Sequence, residues 1–99
     1  VTCVGGAITQ FVVNVYKEDE NFGDYIKVEM AAGSGVSVLI PPGFGNAFIS
    51  RQKNSIYHYK LSYPDVYLDH ESQGTLSWKD ERLNINWAVN NPIVSARDQ

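Results

Sequence analysis

Short segments rich in β-branched and aromatic residues make up most of the chain, and none repeats its apolar residues with the 3.6-residue period of an α-helix. Turn-forming residues interrupt these segments about every eight to twelve positions, a spacing typical of β-sandwiches and barrels. Parallel strands would need crossover connections, usually helices, so antiparallel pairing is expected. The sequence therefore predicts an all-β domain of antiparallel strands.

Most of the expected strands are short. The predicted strands lie at residues 1–4, 8–17, 24–30, 36–40, 47–50, 55–61, 75–78 and 83–87. Alternation in the second of them places Phe11 and Val13 on one face and Gln10 and Val12 on the other. The PPGFG sequence at residues 41–45 is expected to break the β-ladder, because proline has no amide hydrogen to donate to it.

The composition favours one packed domain over residues 1–99 and argues against two classes of partner. Apolar residues make up 43% of the chain and aromatic residues 12%, which argues against disorder. Lys and Arg number 8 against 11 Asp and Glu, and no basic stripe is present, so nucleic-acid binding is not expected. No apolar run approaches the roughly 20 residues of a membrane span, so a membrane partner is not expected either.

The few sulfur and imidazole groups predict neither a disulfide nor a metal site. Cys3 is the single cysteine, so an intrachain disulfide and a cysteine zinc site are excluded, and a cytoplasmic location is the default expectation. Cys3 is predicted to be a small buried residue in a strand. His58 and His70 are isolated from each other in the sequence and are expected at the surface or in loops, without a metal ion.

A cluster of tyrosines is the most distinctive chemical feature read from pattern alone. It contains Tyr57, Tyr59, Tyr63 and Tyr67, and strand alternation places the first two on the same face as Leu61. Aromatic rings at the mouth of a barrel would suit stacking on a sugar or a base. Half-buried packing residues are the alternative interpretation, and the pattern does not decide between them.

Five motifs, taken in order, resemble a known family. They are IPPGFGNAF at residues 40–48, YK at 59–60, WKD at 78–80, LNINW at 83–87 and PIVSARD at 92–98. They are similar to the later half of the dTDP-4-dehydrorhamnose 3,5-epimerase family, whose pattern reads approximately IPEGFAHGF, YK, WDDPxLGIxWP and PILSxKD. The resemblance covers nearly the whole chain and roughly the second half of a family member.

The resemblance implies a cupin fold, a double-stranded β-helix or jelly roll, of which this chain would form a part. It also implies a homodimer that works without a metal, and no cofactor is expected; a larger homo-oligomer is the other assembly we consider. The implied substrate is a nucleotide sugar, a dTDP-4-keto-6-deoxy sugar, which is inverted at C3 and C5 as in dTDP-rhamnose biosynthesis. A base removes the proton next to the ketone, an electrophile stabilises the enolate, and a tyrosine returns a proton.

The resemblance assigns roles to individual positions of this chain. Tyr59, before Lys60, matches the tyrosine acid, and Asp98 matches the aspartate that orients the catalytic histidine. Arg97 stands where the family has a lysine that helps to bind the nucleotide sugar. Gln73 would stand near a substrate-binding glutamate, with Glu71 as the other possibility for that position.

Two positions depart from the family motifs in the same way. Asn46 stands where GFAHGF has its histidine, and Gln10 stands where the family's FDVAVD strand has an aspartate. Asn46 is expected to bind substrate, because an amide can hydrogen-bond a carbonyl oxygen although it cannot carry positive charge.

Two functional hypotheses follow. The family's base is a histidine in a GLHxQ motif, which the resemblance places upstream of Val1 together with a catalytic lysine; His58 is expected to point away from Tyr59. With those groups the protein would be an isomerase. Without them it would be a truncated, non-catalytic cupin that self-associates or binds carbohydrate. As half of a jelly roll the chain would have open strand edges, so we expect it to be ordered only as a dimer or larger assembly, or together with a further segment.

Overall fold

A computed structural model of the chain describes residues 1–16, 18–61, 76–89 and 92–96. Within these ranges the structure contains five β-strands and no α-helix. The strands are β1 (Thr2–Gly5), β2 (Ala7–Asn14), β3 (Tyr25–Ala31), β4 (Phe44–Ser50) and β5 (Ile56–His58). The predicted all-β class is therefore confirmed.

The five strands form two antiparallel sheets within residues 1–60. One sheet has the order β3-β2-β4, and the other pairs β1 with β5. All three pairings are antiparallel, as expected. This arrangement is consistent with part of a cupin-like barrel.

Strand β2 lies at the centre of the larger sheet and is buried on both faces. Every residue from Ile8 to Val13 is buried, including the polar Thr9 and Gln10. Paired residues of adjacent strands share a face, and the register pairs Gln10 with Phe48 of β4. The predicted alternation along this strand is thus present. Apolar side chains occur on both faces of β2, because a strand that is covered on both sides needs no polar face.

A small apolar cluster packs between the two sheets. Its buried members are Cys3, Ile8 and Met30, and Val28, Val38 and Tyr57 pack against them. Cys3 is 4% exposed and lies in β1, which confirms its predicted place in a buried strand position. Because the members come from β1, β2, β3 and β5, this cluster holds the two sheets together by burial of apolar surface.

The predicted strand at residues 36–40 is wrong as an extended element. The structure has a single bridge there, between Thr2 and Ser37, and Val38 exchanges backbone hydrogen bonds with Val1. The ladder ends at this point because Pro41 and Pro42 follow and cannot donate to it. The strand after the break begins at Phe44 rather than at residue 47.

The chain divides into two compact units, Val1–Lys60 and Leu61–Gln99. In the second unit the predicted strand at residues 83–87 is wrong. Asn84 and Ala88 have left-handed backbone conformations, with φ of 46° and 56°, which an extended strand cannot include. Trp78 lies in a turn, against the prediction for residues 75–78, and accepts a hydrogen bond on its carbonyl from Trp87 Nε1 at 2.8 Å. Thr75 lies outside the described residues.

Gly6 offers a test of the connection between β1 and β2. Its φ is +72°, and a Cβ atom there would overlap Ser55, with the Ser55 Cα only 2.8 Å away. Ser55 Oγ in turn bonds the Ala7 backbone. We expect Gly6→Ala to lower the free energy of unfolding by about 2 kcal/mol or more, from backbone strain plus overlap. Urea denaturation measures the loss.

Gly33→Ala is the matched control for that substitution. Gly33 also has a positive φ, +78°, but nothing lies within 4 Å of its Cβ position. In this variant the free energy of unfolding should fall only by the cost of the backbone strain, about 1 kcal/mol. Equal losses in the two variants would show that the contact with Ser55 is unimportant.

Candidate active site

Three polar side chains from three strands meet on one face of the larger sheet. Gln10 comes from β2 and Asn46 from β4, whose register pairs Asn46 with Val12 and so places it diagonally beside Gln10 on the same face. Tyr57 comes from β5 of the other sheet. We call these three residues the amide–tyrosine cluster.

The members of the amide–tyrosine cluster are hydrogen-bonded to one another. Gln10 Nε2 donates to Asn46 Oδ1 at 2.6 Å and to the Phe11 carbonyl oxygen at 3.0 Å. The Tyr57 hydroxyl donates to Gln10 Oε1 at 2.7 Å and lies 3.2 Å from Asn46 Oδ1. Gln10 is 0% exposed, so these bonds satisfy an amide that would otherwise be costly to bury.

Aromatic rings lie directly beside the cluster. The rings of Phe48 and Tyr57 are stacked, with centroids 3.9 Å apart and an interplanar angle of 13°. The Tyr59 ring is tilted against Tyr57 at 6.1 Å. Phe48 is 46% exposed and Tyr59 58% exposed, so both rings present apolar surface to solvent beside hydrogen-bonding groups. Such a combination suits a polar ring-shaped ligand.

Burial raises the pKa of the Tyr57 hydroxyl above its usual value, and electrostatic repulsion from the neighbouring Tyr59 acts in the same direction to a smaller extent. The hydroxyl donates toward the amide oxygens of Gln10 and Asn46, an arrangement that also favours the protonated form. Tyr57 therefore keeps its proton at neutral pH and can serve as a donor to Gln10 throughout the physiological range.

The structure brings together two of the predicted site residues. Asn46 joins Tyr57 through its side chain, and Tyr59 joins it through its ring. Of the three side chains expected to share one face, that of Tyr57 is half-buried, while those of Tyr59 and Leu61 are exposed. His58 is exposed, as expected.

Several predicted residues cannot be placed against this site. Gln73, Arg97 and Asp98 lie outside the described residues, as do Glu71, His70, Tyr63 and Tyr67. Their assignments remain predictions. Within the described ranges, no group of three or more His, Cys, Asp or Glu side chains could hold a metal ion, and no helix is long and apolar enough to cross a membrane.

Sequence reasoning gave no site role to Gln10 or Phe48, and it left the role of Tyr57 open between stacking on a ligand and packing. Gln10 carried a usable signal, because a lone amide within the apolar run ITQFVV has to find partners when that strand is buried. Phe48 carried none, since its contact with Tyr57 depends on how two separate sheets approach each other.

The fold and the site together define a class: an all-β, cupin-like protein whose sheet face carries hydrogen-bonded amides beside stacked rings. Comparison with known proteins makes this specific. The family model for dTDP-4-dehydrorhamnose 3,5-epimerase matches residues 1–99. The chain belongs to the dTDP-4-dehydrorhamnose 3,5-epimerase family, which confirms the resemblance read from the sequence motifs.

Individual relatives agree with the family match. The chain is 31% identical over 98 residues to a dTDP-4-dehydrorhamnose 3,5-epimerase of Shigella flexneri, covering 99% of this chain and 52% of the relative. It is 29% identical over 99 residues to the enzyme of that name from Salmonella typhimurium, again covering 52% of the relative. A probable dTDP-4-oxo-2,6-dideoxy-D-glucose 3,5-epimerase of Streptomyces antibioticus is 27% identical over 94 residues, which is 95% of this chain and 45% of the relative. The chain thus spans about half the length of these relatives.

Tyr57→Phe tests the cluster through the pH dependence of stability. The substitution removes the hydroxyl that donates to the buried Gln10 Oε1. We therefore expect the free energy of unfolding to fall by about 1 kcal/mol or more at about pH 8. Because the folded-state pKa of Tyr57 is raised, its contribution is fully present below its ordinary value of 10.0 and is lost as pH rises through the folded pKa. The difference in free energy of unfolding between wild type and variant, measured by urea denaturation, should therefore be smaller at about pH 11 than at about pH 8. A constant gap would contradict this account.

Proposed function

We propose that the protein epimerises a dTDP-4-keto-6-deoxy sugar at C3 and C5. Membership of the epimerase family supports the reaction class. The observation that carries the proposal in this chain is the amide–tyrosine cluster, which places hydrogen-bonding groups beside Tyr59 and the exposed ring of Phe48. This is an arrangement that a sugar with a ketone could occupy.

The chemistry needs a base, a stabiliser of negative charge and an acid. A 4-keto group acidifies the neighbouring C–H bonds, and removal of a proton leaves an enolate whose charge develops on the keto oxygen. The Asn46 amide is the proposed hydrogen-bond donor to that oxygen. Return of a proton to the opposite face inverts the carbon with no net oxidation or reduction, so the reaction balances without a redox cofactor.

Tyr59 is the proposed proton donor. It follows β5, it is exposed, and its ring lies against Tyr57 of the cluster. The base that accepts the sugar's proton is proposed to be the histidine of the family's GLHxQ motif, which is not among residues 1–99, and Asp98 is proposed to orient it. Arg97 and Gln73 are proposed to bind the nucleotide sugar. These three assignments rest on the resemblance of their motifs alone.

A homodimer or larger homo-oligomer is the proposed working state. Several large apolar side chains of the first unit are exposed, among them Ile26, Phe44 and Ile56. Exposed apolar surface on this scale is costly for an isolated domain and is typical of interaction surfaces. Light scattering of the dilute protein should report at least twice the mass of one chain, and a folded monomer would contradict this part of the proposal.

Incorporation of solvent deuterium at C3 and C5 of the keto sugar tests the reaction directly. The wild-type protein should exchange both positions in D₂O, as read by NMR or mass spectrometry of the recovered sugar. Tyr59→Phe should slow the overall conversion by about 10²-fold or more, because the variant lacks the acid that returns the proton. Tyr16→Phe is the matched control. It also removes one tyrosine hydroxyl, but that hydroxyl donates to the Pro42 carbonyl oxygen and has no role in the proposed chemistry, so the rate should be unchanged. An unaltered rate in Tyr59→Phe would remove Tyr59 from the mechanism.

Non-catalytic binding of a nucleotide sugar is the second candidate, and one observation favours it. Asn46 and Gln10 are neutral amides at positions where the family motifs carry a histidine and an aspartate. Calorimetric binding of the keto sugar without any deuterium incorporation would support this candidate and would overturn the epimerase proposal.

A further inference from the structure

The amide of Asn46 can face solvent with either of its two ends, and the two ends have opposite chemistry. The oxygen accepts hydrogen bonds, whereas the nitrogen donates them. Which end is offered decides whether the site attracts an acceptor, such as a keto oxygen, or a donor, such as a hydroxyl. The buried neighbours of Asn46 settle the choice.

The orientation of Gln10 is determined by a partner that can act in only one way. The Phe11 carbonyl oxygen only accepts, so the atom 3.0 Å from it must be the nitrogen Nε2. The oxygen Oε1 then faces the Tyr57 hydroxyl at 2.7 Å, and Tyr57 must donate to it. Both ends of this fully buried amide are therefore committed.

The orientation of Asn46 follows from that of Gln10. The second hydrogen of Gln10 Nε2 points to an Asn46 atom at 2.6 Å, and that atom must be an acceptor, Oδ1. The other end, Nδ2, has no partner among the described residues, and the side chain is exposed. Its two N–H groups are thus the part of Asn46 that remains for a ligand.

We infer that Gln10 is a positioning residue that turns the donor end of Asn46 toward the ligand. The site then offers N–H groups to an acceptor oxygen, which deepens the proposed function and rests on it: the acceptor is the keto oxygen, on which charge develops in the enolate. The same network commits the Tyr57 hydrogen to Gln10. Tyr57 is therefore not the proton donor to substrate, although it is more buried than Tyr59.

The wild-type protein alone provides a first test, without any substrate. In ¹⁵N spectra the Gln10 side-chain NH₂ should be protected from exchange with water, because it is buried and both hydrogens are bonded. The Asn46 NH₂ should exchange freely. The Asn46 signal is assigned by its disappearance in Asn46→Ser. A protected Asn46 NH₂ would overturn the inference.

Gln10→Glu tests the direction of control. The introduced side chain matches Gln in shape and, at a pH high enough to keep it ionised, has no hydrogen to donate, so Asn46 should rotate and donate its own NH₂ instead. Exchange of the Asn46 NH₂ should slow by roughly tenfold or more. Asn14→Asp is the matched control, since it adds the same charge to β2 while keeping the oxygen that accepts from the Tyr16 amide. Unchanged Asn46 exchange in folded Gln10→Glu would contradict the inference.

A double-mutant cycle links this orientation to catalysis. Gln10→Glu should lower the deuterium-exchange rate by about 10²-fold, the usual cost of losing one donor to a developing oxyanion. In an Asn46→Ala background the same substitution should change the rate by less than about threefold, because its effect passes through Asn46. Additive losses would show that Gln10 acts through general stability instead. Absence of exchange in wild type would end the epimerase proposal but leave the NMR result standing.

Discussion

The buried amide of Gln10 is the constraint on which the described site depends. An uncharged polar group with no exposure is tolerated only when its hydrogen bonds are made, since an unmade one costs about 1–3 kcal/mol. Gln10 makes its bonds to its own strand, to Asn46 of β4 and to Tyr57 of β5. Satisfying this one side chain therefore ties the relative positions of three strands and two sheets.

The same constraint gives the site its chemical character. Every member of the amide–tyrosine cluster is neutral at physiological pH, because the pKa of Tyr57 is raised by burial and the amides do not titrate. In the proposed function, this cluster would stabilise charge by oriented dipoles rather than by a formal positive charge. Fixed dipoles in a partly desolvated setting can still contribute substantially to catalysis, because they need no reorganisation as the charge develops. Asn46 and Gln10 thus form a hydrogen-bonded pair of neutral amides at the two positions where the family motifs have a histidine and an aspartate.

Local patterning was a good guide wherever a strand is buried and regular. The alternation of β2, the burial of Cys3, and the break at Pro41 and Pro42 all follow from side-chain period and backbone chemistry. Local patterning wrongly predicted extended strands at residues 36–40, which form only a single bridge to β1, and at 83–87, where Asn84 has a left-handed backbone. β-propensity reports how well a residue fits a pleated surface, and it cannot supply the neighbouring strand.

The sequence by itself determined the all-β class, the antiparallel pairing and the family, because these depend on short-range periodicity and on ordered motifs along the chain. It also pointed to Asn46 and Tyr59. Only the tertiary structure decided that Gln10 and Tyr57 join Asn46, that Phe48 stacks on Tyr57, and which end of the Asn46 amide is free. The physical reason is that these contacts cross between strands far apart in the chain. Their geometry depends on register and on the approach of two sheets, which no local pattern records.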